Sequence, residues 1–302
     1  MPVKQVQATV NGQVYTLNYS SSTGKWEATI SAPSESSWDQ PNHKYPVSIT
    51  ATDDANNETT INSDSPEFGE LLQLRVLEKV LPTITVTYPT EGAYITTSTP
   101  TITWTVTDTG SGIDESTISI TIGGQKITEG ISTEPTDNGY TCSYVLVTPL
   151  TDGDNTLSFD VSDNDGNAAT QTSVNFIVDT VAPSLDITSP TEGLITNTAT
   201  VTVSGTTSDL TSGPVTVKIT VNSQDQGDIT VGEGGVFTKD VTLTNGANTI
   251  VVTATDAAGK STSVTRNVTL DTGAPVFKSV SITPNPVDAG QTYIISVEVV
   301  DE

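Results

Sequence analysis

The chain has 302 residues, with 36 acidic against 11 basic side chains and a net charge of −25; such a surface repels phosphate backbones and anionic bilayers, which excludes nucleic acid as a partner. No apolar run reaches the roughly 20 residues that a spanning helix needs, so no membrane insertion is expected, and the opening MPVKQVQ contains no hydrophobic leader segment. Cys142 is the one cysteine, so an intrachain disulfide is excluded, stability rests on packing, and a buried apolar place is expected for it.

Short runs rich in Thr, Val and Ile alternate apolar with polar residues and are broken at intervals of about ten residues by Gly, Asn, Asp and Pro, which predicts an antiparallel sandwich without amphipathic helices. In chain order, VKQVQATV (3–10) runs into the turn Val10-Asn11-Gly12-Gln13. In GKWEATI (24–30) Trp26 alternates with Ala28 and Ile30, which predicts a strand with Trp26 in a core. The polar loop SESSWDQPNHKY follows, holding Trp38 and the sole histidine, His43, and then YPVSITATDDANN (45–57) predicts a strand and its turn. After LEKVLP (77–82), Pro82 opens PTITVTYPTEG; Ile102, Trp104 and Val106 alternate on one strand and Leu157, Phe159 and Val161 on another, so Trp104 is expected to face the opposite sheet. The turn recurs at Ile122-Gly123-Gly124-Gln125, followed by LTDGDNT (150–156) and VSDNDGN (161–167). VDTVAP (178–183) leads to a second copy: PSLDITSPTEG, the turn Val221-Asn222-Ser223-Gln224, LTNGANT (243–249) and ATDAAGK (254–260). LDTGAP (270–275) opens a last segment, in which Tyr293, Ile295, Val297 and Val299 alternate up to Asp301, as Ile102, Trp104 and Val106 do up to Asp108.

Through PTEG, LTxGxNT, the D-A-A-G-type turn and the DTxAP linkers, the chain resembles the tandem bacterial immunoglobulin-like domains of surface proteins, modular exoenzymes and phage virion proteins. The resemblance implies an all-β fold of tandem immunoglobulin-like β-sandwiches in a rod-like array, and an extracellular place on a cell surface or a phage virion. It divides the chain into an incomplete domain starting near strand C (1–80), two whole domains (81–181 and 182–273), and strands A and B of a further domain (274–302). Residues 24–30 are then expected as strand E and 45–57 as strand F with its turn. From the opening proline to the turn glutamine is 43 residues in one copy (Pro82 to Gln125) and 41 in the next (Pro183 to Gln224), while the last segment from Pro275 and the first up to Gln13 together supply 40. The end is expected to supply what the beginning lacks.

An isolated hairpin and a sandwich missing two strands both expose apolar side chains and open strand edges. The expected function is therefore a non-enzymatic structural subunit, self-associating as a head-to-tail homopolymer by donor-strand complementation, with Val280, Ile282, Tyr293, Ile295, Val297 and Val299 as the inserted tail. The alternatives are an adhesive or carbohydrate-binding module, with Trp38 as the contact to a cell-surface glycan, and a spacer from a larger surface protein or exoenzyme.

No catalytic residues are expected, because His43 lacks a Ser or Cys motif around it. No cofactor is required; Ca2+ is the candidate metal at domain junctions, where Asp179, Glu91, Asp152, Asp209 and Asp256 are expected to gather within the chain, and Asp271, Glu192, Asp301, Asp53 and Asp54 at the junction between two copies. Asp163-Asn164-Asp165-Gly166-Asn167 has the look of a calcium loop, but its place matches ATDDANN and ATDAAGK, so it is read as a hairpin turn.

Overall fold

The computed structural model describes residues 2–301. Strands β1 (Val3–Val10), β2 (Gln13–Ser20), β3 (Lys25–Glu27), β4 (Tyr45–Asp53), β5 (Glu58–Ile61) and β6 (Gln73–Leu74) make one sheet in the order β3-β2-β1-β4-β5, with β6 added on β4. Among the described residues, no second sheet forms in this segment. Residues 24–30 are thus not strand E. Of these residues only Lys25–Glu27 forms a strand, and it pairs with β2 in the same sheet, Trp26 opposite Tyr19. A tight turn, closed by the Gly24 N–H on the Ser20 carbonyl at 2.8 Å, folds the run straight back on its neighbour, and this local pairing costs far less loop entropy than crossing to another layer. Trp26 is therefore half-buried against Tyr19, with ring centroids 5.7 Å apart, and does not enter a core; Ala28 is exposed.

The next segment is a two-sheet sandwich. Strands β7 (Thr83–Tyr88), β8 (Tyr94–Ile95), β9 (Thr101–Thr107), β10 (Ile113–Ile122), β11 (Gln125–Ile127), β12 (Ser132–Thr136), β13 (Gly139–Val145), β14 (Gly153–Asp163) and β15 (Thr172–Val178) form sheets β12-β13-β9-β7 and β11-β10-β14-β15-β8. Trp104 from the first sheet packs on Phe159 from the second at 5.1 Å, and Ile102, Val106, Leu157 and Val161 are buried beside them. Cys142 lies in this core, and burial, aided by the charge of Glu115, pushes its thiol up to about 12.

The third segment repeats the plan with β16 (Ser184–Ser189), β17 (Leu194–Thr196), β18 (Thr200–Ser208), β19 (Thr216–Val221), β20 (Gln224–Asp225), β21 (Val236–Thr242), β22 (Gly246–Thr255) and β23 (Ser261–Leu270), arranged as β16-β18-β21 over β17-β23-β22-β19-β20. Its core joins Ile187, Val203 and Phe237 to Ile219, Ile250, Val252 and Val268. Two last strands, β24 (Val276–Thr283) and β25 (Ile294–Val300), pair with each other as a separate sheet. Among the described residues, no sheet pairs strands across residues 75–82, 179–183 or 271–275. By backbone proximity the chain falls into two compact units, one of residues up to Ala93 and Thr99–Phe176, the other of Tyr94–Ser98 and the residues from Ile177 onward.

The repeated turn fixes the correspondence between segments. Val10 pairs with Gln13, Ile122 with Gln125 and Val221 with Gln224, and both central residues have positive φ in each copy, a two-residue hairpin matched to strand twist. β1, β10 and β19 are therefore the same strand, C, each flanked by C′ (β2, β11, β20) and F (β4, β14, β22).

Candidate functional sites

Among the described residues, the first segment holds the C–F half of a sandwich and no facing half. Val47, Ile49 and Ala51 on β4 stand where Leu157, Phe159 and Val161 stand on β14 and Ile250, Val252 and Ala254 on β22. The six residues of the two whole sandwiches are buried, whereas the three on β4 are only half-covered. Val6, Ala8 and Val10 beside them on β1 are buried.

The β24–β25 hairpin has the opposite deficit. Val280 pairs with Val297, Ile282 with Ile295 and, beyond a bulge, Phe277 with Val299, so these six side chains share one face. Ser279, Ser281, Ser296 and Glu298 line the other face, where the Ser279 hydroxyl donates to Glu298 at 3.2 Å. All of the expected tail residues, Val280, Ile282, Tyr293, Ile295, Val297 and Val299, are 44% or more exposed. The pairing register identifies this hairpin as A with B. The residue after the opening proline pairs with the residue before an aspartate in all three copies: Thr83 with Thr107, Ser184 with Ser208 and Val276 with Val300, followed by Asp108, Asp209 and Asp301.

Two carboxylate triads form at corresponding places. Glu78, Asp108 and Asp163 each place one oxygen within 4.8 Å of the others, and so do Asp179, Asp209 and Asp256. In each, one residue precedes strand A, one follows strand B and one closes strand F. Nine of the twelve oxygens in the two triads accept hydrogen bonds from the surrounding segments. Oδ2 of Asp108 accepts from the N–H groups of Gly110 and Gly112 at 2.9 and 2.8 Å, while its buried Oδ1 has no partner. Asp163 takes Asn167 N–H and Nδ2, both at 2.7 Å, and Asn167 Nδ2 also reaches the Glu78 carbonyl at 3.1 Å. Asp165 ties the same segment down, accepting from the Glu78 N–H at 3.1 Å and the Ser36 hydroxyl at 2.6 Å. In the other triad Asp209 accepts from Thr211 and Ser212 N–H at 2.8 and 2.7 Å, Asp179 from Val181 N–H at 3.1 Å and from the Ser212 hydroxyl, and Asp256 Oδ1 from Lys260 N–H at 2.8 Å; Oδ2 of Asp256 is buried and unpartnered. Burial, and then Asp163 beside it, hold the Glu78 carboxyl above the ordinary range.

Of the first expected set, Asp179, Asp209 and Asp256 come together. The two oxygens of Glu91 accept from the Asn175 N–H and Nδ2 at 2.8 and 3.2 Å, and Asp152 is exposed. Glu192 is likewise clipped to Asn267 at 3.0 and 2.9 Å, Asp53 accepts from Ala55 and Asn57 in its own turn, and Asp271 from Gly273 N–H; Asp54 and Asp301 are exposed. Within one chain these five form no triad among the described residues. Sequence reasoning passed over Glu78, Asp108 and Asp163 as ligands, although LEKVLP copies VDTVAP and so puts Glu78 where Asp179 stands. Residues 163–167 do form a turn between β14 and β15, bonded as Asp53–Asn57 is, yet Asp163 also belongs to a triad.

The Glu192 clip makes a pH prediction. Hydrogen bonds from the Asn267 side chain and then its backbone hold the Glu192 carboxyl below its usual value. A depressed folded value contributes stability that is fully present above the unfolded value, about 4.3, and is lost as pH falls through the folded one. In thermal scans from about pH 6 down to 3, the full chain should lose melting temperature below about pH 4, and Glu192→Gln should show a smaller loss.

Trp38 is half-buried and stacked on His43, with ring centroids 3.9 Å apart, so one ring face is taken. His43 Nδ1 also contacts the Trp38 carbonyl. Trp38 lines an open cleft of about 450 Å³ with Asp108, Tyr140 and Asn164.

Residues 82–159 match the family model described as a bacterial Ig domain, and residues 183–272 the model described as glucodextranase, domain B. No curated protein matches the chain. Among solved structures, fibronectin(III)-like modules of Clostridium thermocellum CbhA are 18% identical, with 62% of this chain and 94% of that one covered and a TM-score of 0.39. An I-band fragment of titin is 10% identical over 89% of this chain and 88% of its own, TM-score 0.44. A tetra-tandem repeat from the extending region of a large adhesion protein is 21% identical over 99% and 81%, TM-score 0.34. Among the described residues, no helix is long and apolar enough to cross a membrane.

Proposed function

We propose that this chain, a tandem of bacterial immunoglobulin-like domains, is a non-enzymatic structural subunit of an extracellular appendage, on a bacterial surface or a virion, whose copies join head to tail. The observation that carries the reading is the matched pair of deficits: an A–B hairpin with an uncovered apolar face, and a C–F sheet without an A–B pair. In the two whole sandwiches the A–B pair is what covers that sheet. The hairpin of one copy lays Phe277, Val280, Ile282, Ile295, Val297 and Val299 on Val47, Ile49 and Ala51 of the next. Five or six such side chains at about 2 kcal/mol each amount to about 10 kcal/mol before the costs of association, which is enough to hold a joint. The contact is heterologous, so it propagates from copy to copy. It also delivers Asp271 and Asp301 to the next copy's Asp53, the three positions that correspond to each triad within the chain.

The test uses two full-length variants, Val297→Asp on the hairpin and Ile49→Asp on the sheet. Light scattering should show concentration-dependent polymers of the unsubstituted chain, monomers of each variant alone, and a mixture of the two variants that stops at a dimer. Monomers of the unsubstituted chain at high concentration, or polymers of Val297→Asp, would sink the reading. A glycan-binding role has weaker support, since His43 covers one face of Trp38.

A further inference from the structure

We infer that the two carboxylate triads are binding sites for a hard divalent cation of calcium's size, one formed by Glu78, Asp108 and Asp163 and the other by Asp179, Asp209 and Asp256. The argument stands within each unit and does not depend on how copies associate.

Proximity of acidic groups is the weaker half of the case. The stronger half is a buried oxygen in each triad with nothing to bond: Oδ1 of Asp108, on a residue 5% exposed, and Oδ2 of Asp256, on a residue 6% exposed. A buried carboxylate oxygen left without a partner is unfavourable, and two further carboxylates beside it add repulsion. No cationic side chain relieves this, for no salt bridge among the described residues reaches either triad; the bridge present joins Lys218 to Asp225. The surrounding loops consume the other oxygens: Gly110 and Gly112 take one side of Asp108, Lys260 one side of Asp256, and Thr211 with Ser212 one side of Asp209. Each loop thereby aims its carboxylate while leaving coordination capacity.

Chemistry selects the ion. Calcium accepts many oxygens in flexible geometry, whereas magnesium demands a near-ideal octahedron and gives up its waters reluctantly, so three carboxylates gathered from three separate segments suit calcium. With only carboxylates in the set, the donors suit an oxygen-seeking cation and offer nothing that favours zinc. Water completes the six to eight positions that calcium takes. A bound ion ties the residue ahead of strand A to the B–C and F–G loops of the sandwich that follows it.

Metal-depleted full-length chain, diluted to where light scattering shows monomers and titrated calorimetrically with calcium chloride, should take up two ions per chain, with magnesium chloride binding at least ten-fold more weakly. Asp108→Asn and Asp256→Asn are nearly isosteric and keep an oxygen for the loop N–H groups; each should lose one of the two ions. In metal-free buffer neither variant should melt below the parent chain, because each sheds an unpartnered buried charge, and that measurement separates lost ligation from lost folding. Absence of uptake up to millimolar calcium would overturn the inference. So would uptake unchanged in both variants, which would mean adventitious binding by surface acids.

Discussion

Trp104→Ala should cost about 3–5 kcal/mol, the largest effect expected of any single truncation in the chain. Trp104 is 1% exposed and spans the gap between β9 and β14, where its ring meets Phe159 at 5.1 Å. Ile102, Val106, Ile120 and Cys142 are also fully enclosed in this sandwich, so the surroundings are fixed by their own packing and cannot collapse into the space. For a domain of this size each kcal/mol shifts melting by about 4–8 °C, so the sandwich's transition in scanning calorimetry should fall by roughly 15 °C or more. Trp26→Ala provides the contrast. Its ring rests on Tyr19, itself 59% exposed, at a sheet edge, and the expected cost is below about 1 kcal/mol. Similar losses for the two variants would contradict the packing described.

The second large effect is expected from Asn248→Ala, about 2–4 kcal/mol on the third sandwich, read in the same way. Asn248 is 2% exposed and serves both ends of its amide. Its carbonyl oxygen accepts from Thr244 N–H at 2.9 Å, the Thr244 hydroxyl at 3.1 Å and Asn222 Nδ2 at 2.9 Å, and its Nδ2 donates to the carbonyls of Thr244 at 2.6 Å and Gly246 at 2.9 Å. Truncation leaves these buried groups without partners, which costs more than the bonds themselves contributed. Asn155, its counterpart in the second sandwich, makes two bonds, to the carbonyls of Thr151 and Gly153, and is less buried; Asn155→Ala should cost about 1 kcal/mol. An equal loss at the two positions would show that the network around Asn248 adds nothing.

These pairs show where sequence patterns carry information. Alternation identified Trp104 and Phe159 because both lie on long strands whose two faces see different surroundings. The same alternation misplaced Trp26, because a three-residue strand has too little pattern to declare a layer and Gly24 had already turned the chain back on β2. Turn chemistry was legible wherever side chain and backbone act within a few residues, as in the Val10–Gln13 hairpin and the Asp163–Asn167 turn. The carboxylate triads draw on residues 30 to 85 positions apart, so only topology gathers them. Knowing which loops share an end of the sandwich led to Asp179, Asp209 and Asp256. Glu91 is engaged locally by Asn175 on strand G of its own sandwich, a pairing that the pattern of turns does not reveal.

The placement of Cys142 has a practical consequence. The chain's single thiol is fully enclosed and held almost entirely protonated at neutral pH, so it has neither access nor nucleophilicity toward alkylating reagents. A cysteine introduced at an exposed position, such as Ser281→Cys on the polar face of the hairpin, would therefore be the sole site for a maleimide dye or nitroxide, with no background mutation required. Spectroscopic rulers can be attached to this chain without first emptying its core.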